Sequence, residues 1–200
     1  MIFKDKTVII TGGSDGVGAA AARMFAEAGA NLMLVARGKR KLEALAEELR
    51  DKSRVEIFPM DVADAEACAA VFRKAEYEFG RIDILVNNAG FHQRGRFESV
   101  SVEDHATMVD VNLRAPIMLT RLALPYLRDG EGGANINVGS LAGWQPLADQ
   151  VSYSATKAGL RFFTYALFEE LRGTNIKTAL VSPGPLDTGF IMDNLDTVAD

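Results

Sequence analysis

The sequence predicts an α/β fold in which a doubly wound parallel sheet carries helices on both faces. Short apolar runs rich in β-branched residues alternate along the 200 residues with longer amphipathic segments. Strands separated by helix-length connections indicate a parallel sheet, because a parallel crossover needs about a dozen residues or more. The strand-like runs are continuously apolar rather than alternating, which is typical of strands covered on both faces.

Six strands and five helices are predicted in alternation. The predicted strands are Thr7–Ile10, Asn31–Val35, Val55–Pro59, Ile82–Val86, Ala134–Val138 and Lys177–Val181. The predicted helices are Val17–Ala28, Lys39–Arg50, Ala63–Phe79, Val102–Arg128 and Ser152–Arg172. There is no linker, low-complexity tract or solenoid repeat, so residues 1–200 are expected to form a single domain. Ligands of doubly wound sheets bind at the carboxyl ends of the strands, and functional residues are expected there.

Charge and composition exclude several classes of function. A net charge of −5 argues against a nucleic-acid binder, which needs an excess of Lys and Arg. The single cysteine, Cys68, cannot form an internal disulfide. The first apolar run is too short for a signal peptide, and no run approaches the roughly 18 residues of a membrane span. We therefore expect a cytoplasmic protein with no membrane partner, no nucleic-acid partner and no metal.

The glycine-rich turn Thr11–Gly18 lies between the first predicted strand and the first helix. Its glycines allow a tight turn and close approach of a pyrophosphate, and the helix N-terminus offers free N–H groups and a positive dipole end. The spacing T-G-G-S-D-G-V-G differs from the G-x-G-x-x-G fingerprint, so a plain turn remains an alternative. The position at the first strand–helix junction favours a phosphate cradle.

The end of the second strand indicates which dinucleotide is bound. NAD-binding folds carry an acid about 20 residues after the glycine turn, where it binds the ribose 2′-hydroxyl. Ala36 and Arg37 occupy that region here, and arginine can clamp a 2′-phosphate with charge-assisted hydrogen bonds. Asp15 argues the other way, since it adds a negative charge, and Lys39–Lys41 are interpreted as a solvated helix start. NADP(H) is therefore predicted over NAD(H).

Tyr153 and Lys157 stand four residues apart, a spacing that puts both side chains on one face of a helix. A phenol has a pKa of about 10, and a nearby ammonium favours the phenolate. Lys157 is therefore expected to lower the pKa of Tyr153 and to make it a useful acid or base. A separate hypothesis concerns Pro116, which lacks an N–H and crowds the carbonyl of Asn112 four residues earlier. That carbonyl is expected to be free for another partner, although a simple helix bend remains an alternative.

The ordered set of motifs resembles the classical short-chain dehydrogenase/reductase family. The matching motifs are T-G-x-x-x-G-x-G at Thr11–Gly18, Asp61, N-N-A-G at Asn87–Gly90, Asn112, Ser140, Y-x-x-x-K at Tyr153–Lys157 and P-G-x-x-x-T at Pro183–Thr188. The resemblance covers the whole chain and implies a Rossmann-type sheet and an NADP(H)-dependent oxidoreductase acting on a carbonyl/alcohol pair. The alternative is a non-catalytic NADP(H)-binding or interaction protein that keeps the fold.

The resemblance also implies which residues form the site. The catalytic set is Asn112, Ser140, Tyr153 and Lys157. The cofactor-binding set is Gly12, Ser14, Gly16, Val17, Gly18, Arg37, Asp61, Val62, Asn88, Ala89, Gly90, Tyr153, Lys157, Pro183, Gly184, Leu186 and Thr188. By this resemblance Tyr153 transfers the proton, Lys157 holds the nicotinamide ribose and Ser140 binds the substrate oxygen. The Asn112 position holds a water that links the lysine to solvent.

Substrate and partners are less defined by the sequence. The segments expected to shape the pocket are Phe91–Arg96, Leu141–Pro146 and Pro185–Met192. In them Phe91 and Trp144 are candidates for an apolar lining, and His92 and Arg94 either meet a polar or acidic group or lie on the surface. The predicted helices Leu113–Leu127 and Ser152–Arg172 are apolar almost all round, which indicates a homodimer or homotetramer. Relatives in the family usually continue after this segment with a helix and a last strand, which are expected to be missing here, so Lys177–Val181 is expected at an exposed sheet edge.

Overall fold

Six parallel strands form one sheet in the computed structural model, which describes residues 2–129 and 131–186. The strand order is β3-β2-β1-β4-β5-β6, and all five neighbouring pairs run parallel. The strands are β1 (Thr7–Thr11), β2 (Asn31–Ala36), β3 (Val55–Pro59), β4 (Ile84–Asn87), β5 (Ala134–Val138) and β6 (Lys177–Val181). The predicted doubly wound α/β fold is confirmed.

Helices cover both faces of the sheet. They are α1 (Gly16–Glu27), α2 (Lys39–Leu49), α3 (Ala65–Phe79), α4 (Val102–Val109), α5 (Ala115–Arg128) and α6 (Val151–Glu170). Val8 and Ile10 of β1 pack with α1 and α2, whereas Ile9 between them packs with α3, α5 and α6. Successive strand residues point to opposite faces, so a central strand buried on both sides is apolar throughout.

The long helix predicted over Val102–Arg128 is interrupted, which is a difference from the sequence-based prediction. After α4 comes a π turn, Asp110–Arg114, and α5 begins at Ala115. The Ala115 N–H donates to the carbonyl of Asp110, five residues earlier rather than four. Pro116 follows immediately and has no N–H to return to the α pattern. The interruption places Asn112 inside a wide turn, and such turns are common at functional sites.

A cluster of buried polar side chains lies between the sheet and helices α5 and α6. Asn87 of β4 donates from Nδ2 to Oδ1 of Asn137, its cross-strand partner on β5, at 2.8 Å and to Thr120 Oγ1 at 3.2 Å. Asn137 in turn donates to Thr164 Oγ1 of α6 at 2.9 Å, and Thr120 of α5 donates to Asn135 Oδ1 at 3.1 Å. The cluster joins two strands to two helices within the core.

Strand β6 is an edge of the sheet among the residues described, as expected for Lys177–Val181. Its side chains alternate between exposed and half-buried, and Val181 is 51% exposed. No helix in the described ranges is both long and apolar enough to cross a membrane. Thr188 and the end of the Pro185–Met192 segment lie outside the described residues.

Candidate active site

The loops that follow the strands surround one large cavity, of about 1100 Å³. It is lined by segments after every strand of the sheet and by α6, as expected for a doubly wound sheet. The predicted cofactor-binding residues that line it are Gly12, Ser14, Gly16, Val17, Arg37, Asp61, Val62, Asn88, Ala89, Gly90, Tyr153, Lys157, Pro183, Gly184 and Leu186. Gly18 is not in the lining, and Thr188 is outside the described residues.

The glycine turn is held against the loop after β4. Asn88 donates from Nδ2 to the carbonyls of Thr11 and Gly12 at 3.0 and 3.1 Å, and Thr11 Oγ1 accepts from the N–H groups of Asn88 and Ala89. A Cβ on Gly12 would lie 2.8 Å from Asn88 Nδ2, and one on Gly18 would overlap the Gly12 carbonyl oxygen. Gly18 therefore acts through close packing of the turn. The resulting cradle at the start of α1 fits the pyrophosphate of a dinucleotide.

The side chains at the β2 end of the cavity carry a net positive charge, which is suited to bind an anion. Arg37 is exposed in the lining, and Lys41 of α2 forms an ion pair with Asp15 at 2.5 Å. Asp15 also accepts from the Gly16 N–H at 2.8 Å, and the hydrogen bond from Lys41 lowers the pKa of its carboxyl. The sequence-based interpretation of Lys41 as a solvated residue did not include this contact. The one sign of the contact in the sequence is that Lys41 and Asp15 carry opposite charges. The negative charge that argued against NADP(H) is thereby compensated.

The pair Tyr153 and Lys157 lies side by side on α6 and is buried, with exposures of 8% and 4%. Lys157 Nζ donates to the carbonyl of Val138 at 2.9 Å and lies 5.8 Å from the centre of the Tyr153 ring. Burial lowers the pKa of Lys157 to about 8. A desolvated ammonium with a backbone acceptor is suited to bind further oxygen acceptors, such as ribose hydroxyls.

The pKa of Tyr153 is raised, which is the opposite of the direction expected from the sequence. Burial is the main cause, because it penalises the charged phenolate, and a hydrogen bond with Ser140 acts in the opposite direction. The spacing of Tyr153 and Lys157 predicted their proximity correctly. It did not predict how completely the phenol is removed from water.

Ser140 is fixed by a short turn after β5. Its Oγ accepts from the Ala142 N–H at 3.1 Å and so caps the 3₁₀ turn Leu141–Gly143. A Cβ on Gly143 would lie 2.7 Å from the carbonyl carbon and oxygen of Lys157, so the turn packs directly on α6. The Ser140 hydroxyl is thereby held near the Tyr153 phenol.

Asn112 lies beneath the site rather than in its wall. It is fully buried, its Oδ1 accepts from the Phe91 N–H and its Nδ2 donates to the Phe91 carbonyl, both at 2.8 Å. Nδ2 also lies 3.3 Å from Thr156 Oγ1 of α6. The side chain therefore fastens the loop after β4 to the helix that carries Tyr153. The sequence-based hypothesis concerned only its main-chain carbonyl, and that hypothesis stays a prediction.

The remaining wall of the cavity is formed by the segment after Asn88–Gly90. Phe91, His92 and Arg94 line it, and the His92 ring lies 4.4 Å from the Tyr153 ring, with 6% of the residue exposed. The surface interpretation of His92 is therefore wrong, because the loop turns inwards. Trp144 is half-exposed, donates from Nε1 to Ser182 Oγ at 3.1 Å and is absent from the lining, so its expected role is also wrong.

Several lining residues were not predicted. They are Ala36, Gly38, Met60, Thr107, Val111, Val138, Gly139, Leu147 and Gln150. Thr107 and Val111 stand four residues apart just before Asn112, a spacing that signals one helix face and would have been visible in the sequence.

Comparison with known proteins agrees with the architecture of this site. The sequence matches the short chain dehydrogenase family over residues 6–198. It is 38% identical over 187 residues to sulfoacetaldehyde reductase 2 from Chromohalobacter salexigens, which covers 92% of this chain and 74% of that protein.

Two solved structures of similar proteins contain nicotinamide cofactors. A short-chain dehydrogenase/reductase from Burkholderia phymatum in complex with NAD superposes with a TM-score of 0.92 at 27% identity, over 100% of this chain and 72% of the other. A metagenomic short-chain oxidoreductase in complex with NADP superposes with a TM-score of 0.87 at 34% identity, over 93% and 85%.

The fold, the glycine cradle and these matches define a nicotinamide-dependent oxidoreductase of the Rossmann type. The chain belongs to the short-chain dehydrogenase/reductase family. Relatives of known structure carry either NAD or NADP, so the family alone leaves open which of the two this chain prefers.

Proposed function

We propose that this protein catalyses NADP(H)-dependent interconversion of a carbonyl compound and an alcohol, with Tyr153 as the general acid/base. The observation that carries the proposal is the grouping of Tyr153, Ser140 and Lys157 at one end of a cavity whose other end is the glycine cradle. Residues 1–200 act in this proposal as one dinucleotide-binding domain with an integral active site.

In the direction of reduction, Tyr153 Oη donates its proton to the carbonyl oxygen of the substrate. Burial raises the pKa of the phenol, so it is protonated at neutral pH and suited to this step. The Ser140 hydroxyl donates a second hydrogen bond to the same oxygen and stabilises its developing charge. In oxidation Tyr153 accepts the alcohol proton, and the Ser140 hydrogen bond favours the phenolate.

Lys157 holds the ribose next to the reacting carbon and provides a positive charge beneath Tyr153. When bound, the nicotinamide would supply or accept the hydride, and its oxidised ring would add a positive charge that favours the phenolate. Asn112 keeps the loop at Phe91 in register with α6 through its side chain. Its main-chain carbonyl remains our candidate for the water that links Lys157 to solvent.

A preference for NADP(H) follows from the cations near the end of β2. Arg37 lines the cavity where a 2′-phosphate is expected, and Lys41 neutralises Asp15 beside it. The substrate is a small carbonyl compound, and the similarity to a protein named sulfoacetaldehyde reductase 2 supports including aldehydes among the candidates.

The central test follows NADPH oxidation over a panel of aldehydes and ketones. Replacing Tyr153 by Phe removes the proton donor and is expected to lower kcat by about 100- to 10,000-fold. The affinity for NADPH, measured by fluorescence titration, should change far less than kcat, because Lys157 and the glycine cradle remain to hold the cofactor. Rapid turnover by Tyr153→Phe contradicts the acid/base role. Tight NADPH binding without turnover of any compound by the wild type favours the non-catalytic alternative.

Cofactor preference is tested in the same assay. Arg37→Leu is expected to raise the KM for NADPH about tenfold or more and to leave the KM for NADH nearly unchanged, because only NADPH carries the 2′-phosphate. Arg40→Leu is the matched control, since Arg40 is exposed on α2 and lies outside the cavity lining. Equal effects on both cofactors, or none, contradict the NADP(H) preference.

A further inference from the structure

Arg94 lies in the wall of the cavity close to the proposed proton donor. It follows His92 by two residues, and the His92 ring is 4.4 Å from that of Tyr153. The next residue, Gly95, donates its N–H to the Asp149 carbonyl at 2.9 Å, just before α6 begins. These contacts put Arg94 at the substrate end of the cavity and away from the glycine cradle.

The guanidinium of Arg94 has unused hydrogen-bonding capacity. Its Nε is buried and has no hydrogen-bond partner within residues 2–129 and 131–186, and no ion pair joins it to a carboxylate there. Arg96, two residues later on the exposed side, pairs with Glu98 at 3.2 Å. A buried donor without a partner is costly, and an arginine presents five donors in a fork that matches an oxyanion. The side chain therefore needs an acceptor, and the cavity is where one can reach it.

Within residues 2–129 and 131–186, the substrate end of the cavity offers no competing acid. The acidic side chains in the lining are Asp15 and Asp61, which follow β1 and β3, and Asp15 is paired with Lys41. Asp149 is near Arg94 through the backbone contact described above, but it is not part of the lining. Burial and the charge of Arg94 lower the pKa of His92, so His92 is neutral near pH 7 and leaves the positive charge beside it to Arg94. The local field favours an anion.

We propose that Arg94 binds an anionic group on the substrate, so that the reacting carbonyl compound carries a carboxylate, sulfonate or phosphate a few atoms from its carbonyl. This rests on the proposed function of the same site. Arginine binds such groups through two parallel hydrogen bonds, which orient the substrate as well as hold it. Arg94 and Tyr153 line the same cavity as His92, whose ring contacts Tyr153, so we expect the anion and the carbonyl on a short carbon chain.

The kinetic test compares matched charged and neutral substrates. The wild type is expected to reduce 4-oxobutanoate with a higher kcat/KM than butanal. Arg94→Leu should lower kcat/KM for 4-oxobutanoate by about 10- to 100-fold, mainly through KM, and change that for butanal by less than about threefold. Arg94→Lys should recover part of the loss, because the charge remains without the fork. Arg96→Leu is the control and should alter neither substrate.

Further pairs distinguish the source of the anion. Glyceraldehyde 3-phosphate is compared with glyceraldehyde, and 3-sulfopropanal with propanal. The pair with the largest Arg94-dependent difference identifies the anion that the site accepts. Equal losses for charged and neutral members of every pair, or a wild type with no preference for any anion, overturn the proposal.

A binding measurement separates this proposal from the proposed reaction. Calorimetry of the enzyme with saturating NADP⁺ should detect butanoate but not butanamide, and Arg94→Leu should abolish the butanoate signal. Its affinity for NADPH should stay within about twofold of wild type, since the cofactor phosphates lie at the other end. Arg94-dependent butanoate binding without turnover supports this inference and contradicts the proposed reaction. Turnover of butanal without butanoate binding supports the proposed reaction and contradicts this inference. If Arg94→Leu weakens NADPH binding as much as butanoate binding, the inference is also overturned.

Discussion

Lys157 gives up most of its hydration to stand beneath Tyr153. It is 4% exposed, and its Nζ donates to the carbonyl of Val138. Burial lowers its pKa to about 8, compared with about 10.4 for a lysine in water. Between these values the unfolded chain binds a proton that the folded protein does not, so the folded state is disfavoured as the pH falls. The buried ammonium of Lys157 therefore lowers the stability of the folded state whenever it is charged.

The first prediction at this scale concerns pH and stability. Relative to Lys157→Met, the wild-type free energy of unfolding should rise by about 3 kcal/mol as the pH increases from about 8 to about 10.5. Tyr153 is present in both proteins, so its own titration largely cancels in the difference. Urea denaturation at several pH values measures the effect. Lys177→Met, at an exposed position of β6, should show no such difference, and parallel curves for Lys157→Met and wild type would contradict the prediction.

Individual residues differ in how far the sequence predicted them. The spacing of Tyr153 and Lys157 placed them together, because helix periodicity is a local property. The raised pKa of Tyr153 was not predicted, since it depends on burial by chain segments distant in sequence. For the same reason the surface position expected for His92 and the cavity position expected for Trp144 are wrong. The direction of a loop decides whether its side chains face the cavity or the solvent.

The π turn between α4 and α5 sets the position of Asn112. Its closing hydrogen bond joins residues five positions apart, one more than in an α-helix. Asn112 lies at the centre of the turn, which spans Asp110–Arg114. Each residue of an α-helix advances by about 100° around the axis. Removing the extra residue from the turn would rotate Asn112 away from the Phe91 backbone, which it contacts through two hydrogen bonds.

Pro116→Ala tests whether the proline maintains this turn. Alanine supplies an N–H that can bond the Asn112 carbonyl, so the α pattern is restored and that carbonyl is occupied. We expect kcat to fall by about tenfold and its pH profile to shift, with the affinity for NADPH little changed. Pro125→Ala is the matched control, because Pro125 lies on the exposed side of the same helix. Unchanged turnover and pH dependence in Pro116→Ala would show that the proline only bends the helix.

At the level of elements, the sequence predicted all six strands and placed four of the five helices within two residues of their ends. Their hydrophobic periods are local and strong. The interruption of the fifth helix was not predicted, since the apolar pattern of Val102–Arg128 continues through it. Pro116 was the one local sign, and it indicated a special carbonyl rather than a wider turn.

Several large apolar side chains on the outer faces of α5 and α6 are exposed to solvent. Phe162 is 67% exposed, and Tyr165 and Phe168 of α6 and Ile117 of α5 are also exposed. Buried aromatic side chains contribute strongly to interfaces, and a group of exposed ones marks a contact surface. We propose that these helices pair in a homodimer or homotetramer, as their apolar composition predicts.

Sedimentation velocity tests this assembly. The wild type is expected to sediment as a dimer or tetramer, and Phe162→Glu should shift it to the monomer, because the interface would bury an unpaired carboxylate. Tyr77→Glu is the control, since Tyr77 is an exposed aromatic residue that belongs to α3 and to neither of the two helices. A monomeric wild type at high concentration would contradict the proposal.

At the level of the whole molecule, the sequence predicted the fold class but not the order of the strands in the sheet. Alternation of strands and helices predicted a doubly wound parallel sheet with its ligands at the carboxyl ends. The positions of the loops were not accessible, because tertiary packing sets them. The cavity lining shows this directly: Arg94 and Gln150 both line it although their sequence neighbourhoods carry no shared pattern.

The buried amides of β4 and β5 have a consequence for how the chain reaches this structure. Asn87 faces Asn137, and Asn135 lies on the same side of its strand two residues earlier. Slippage of β5 by one residue would turn both of its asparagines towards the apolar layer formed with α1 and α2. Each stranded amide would then cost about 1–3 kcal/mol. Misaligned pairings of β5 are thus penalised as they form, and the alignment that holds Ser140 near Tyr153 is favoured.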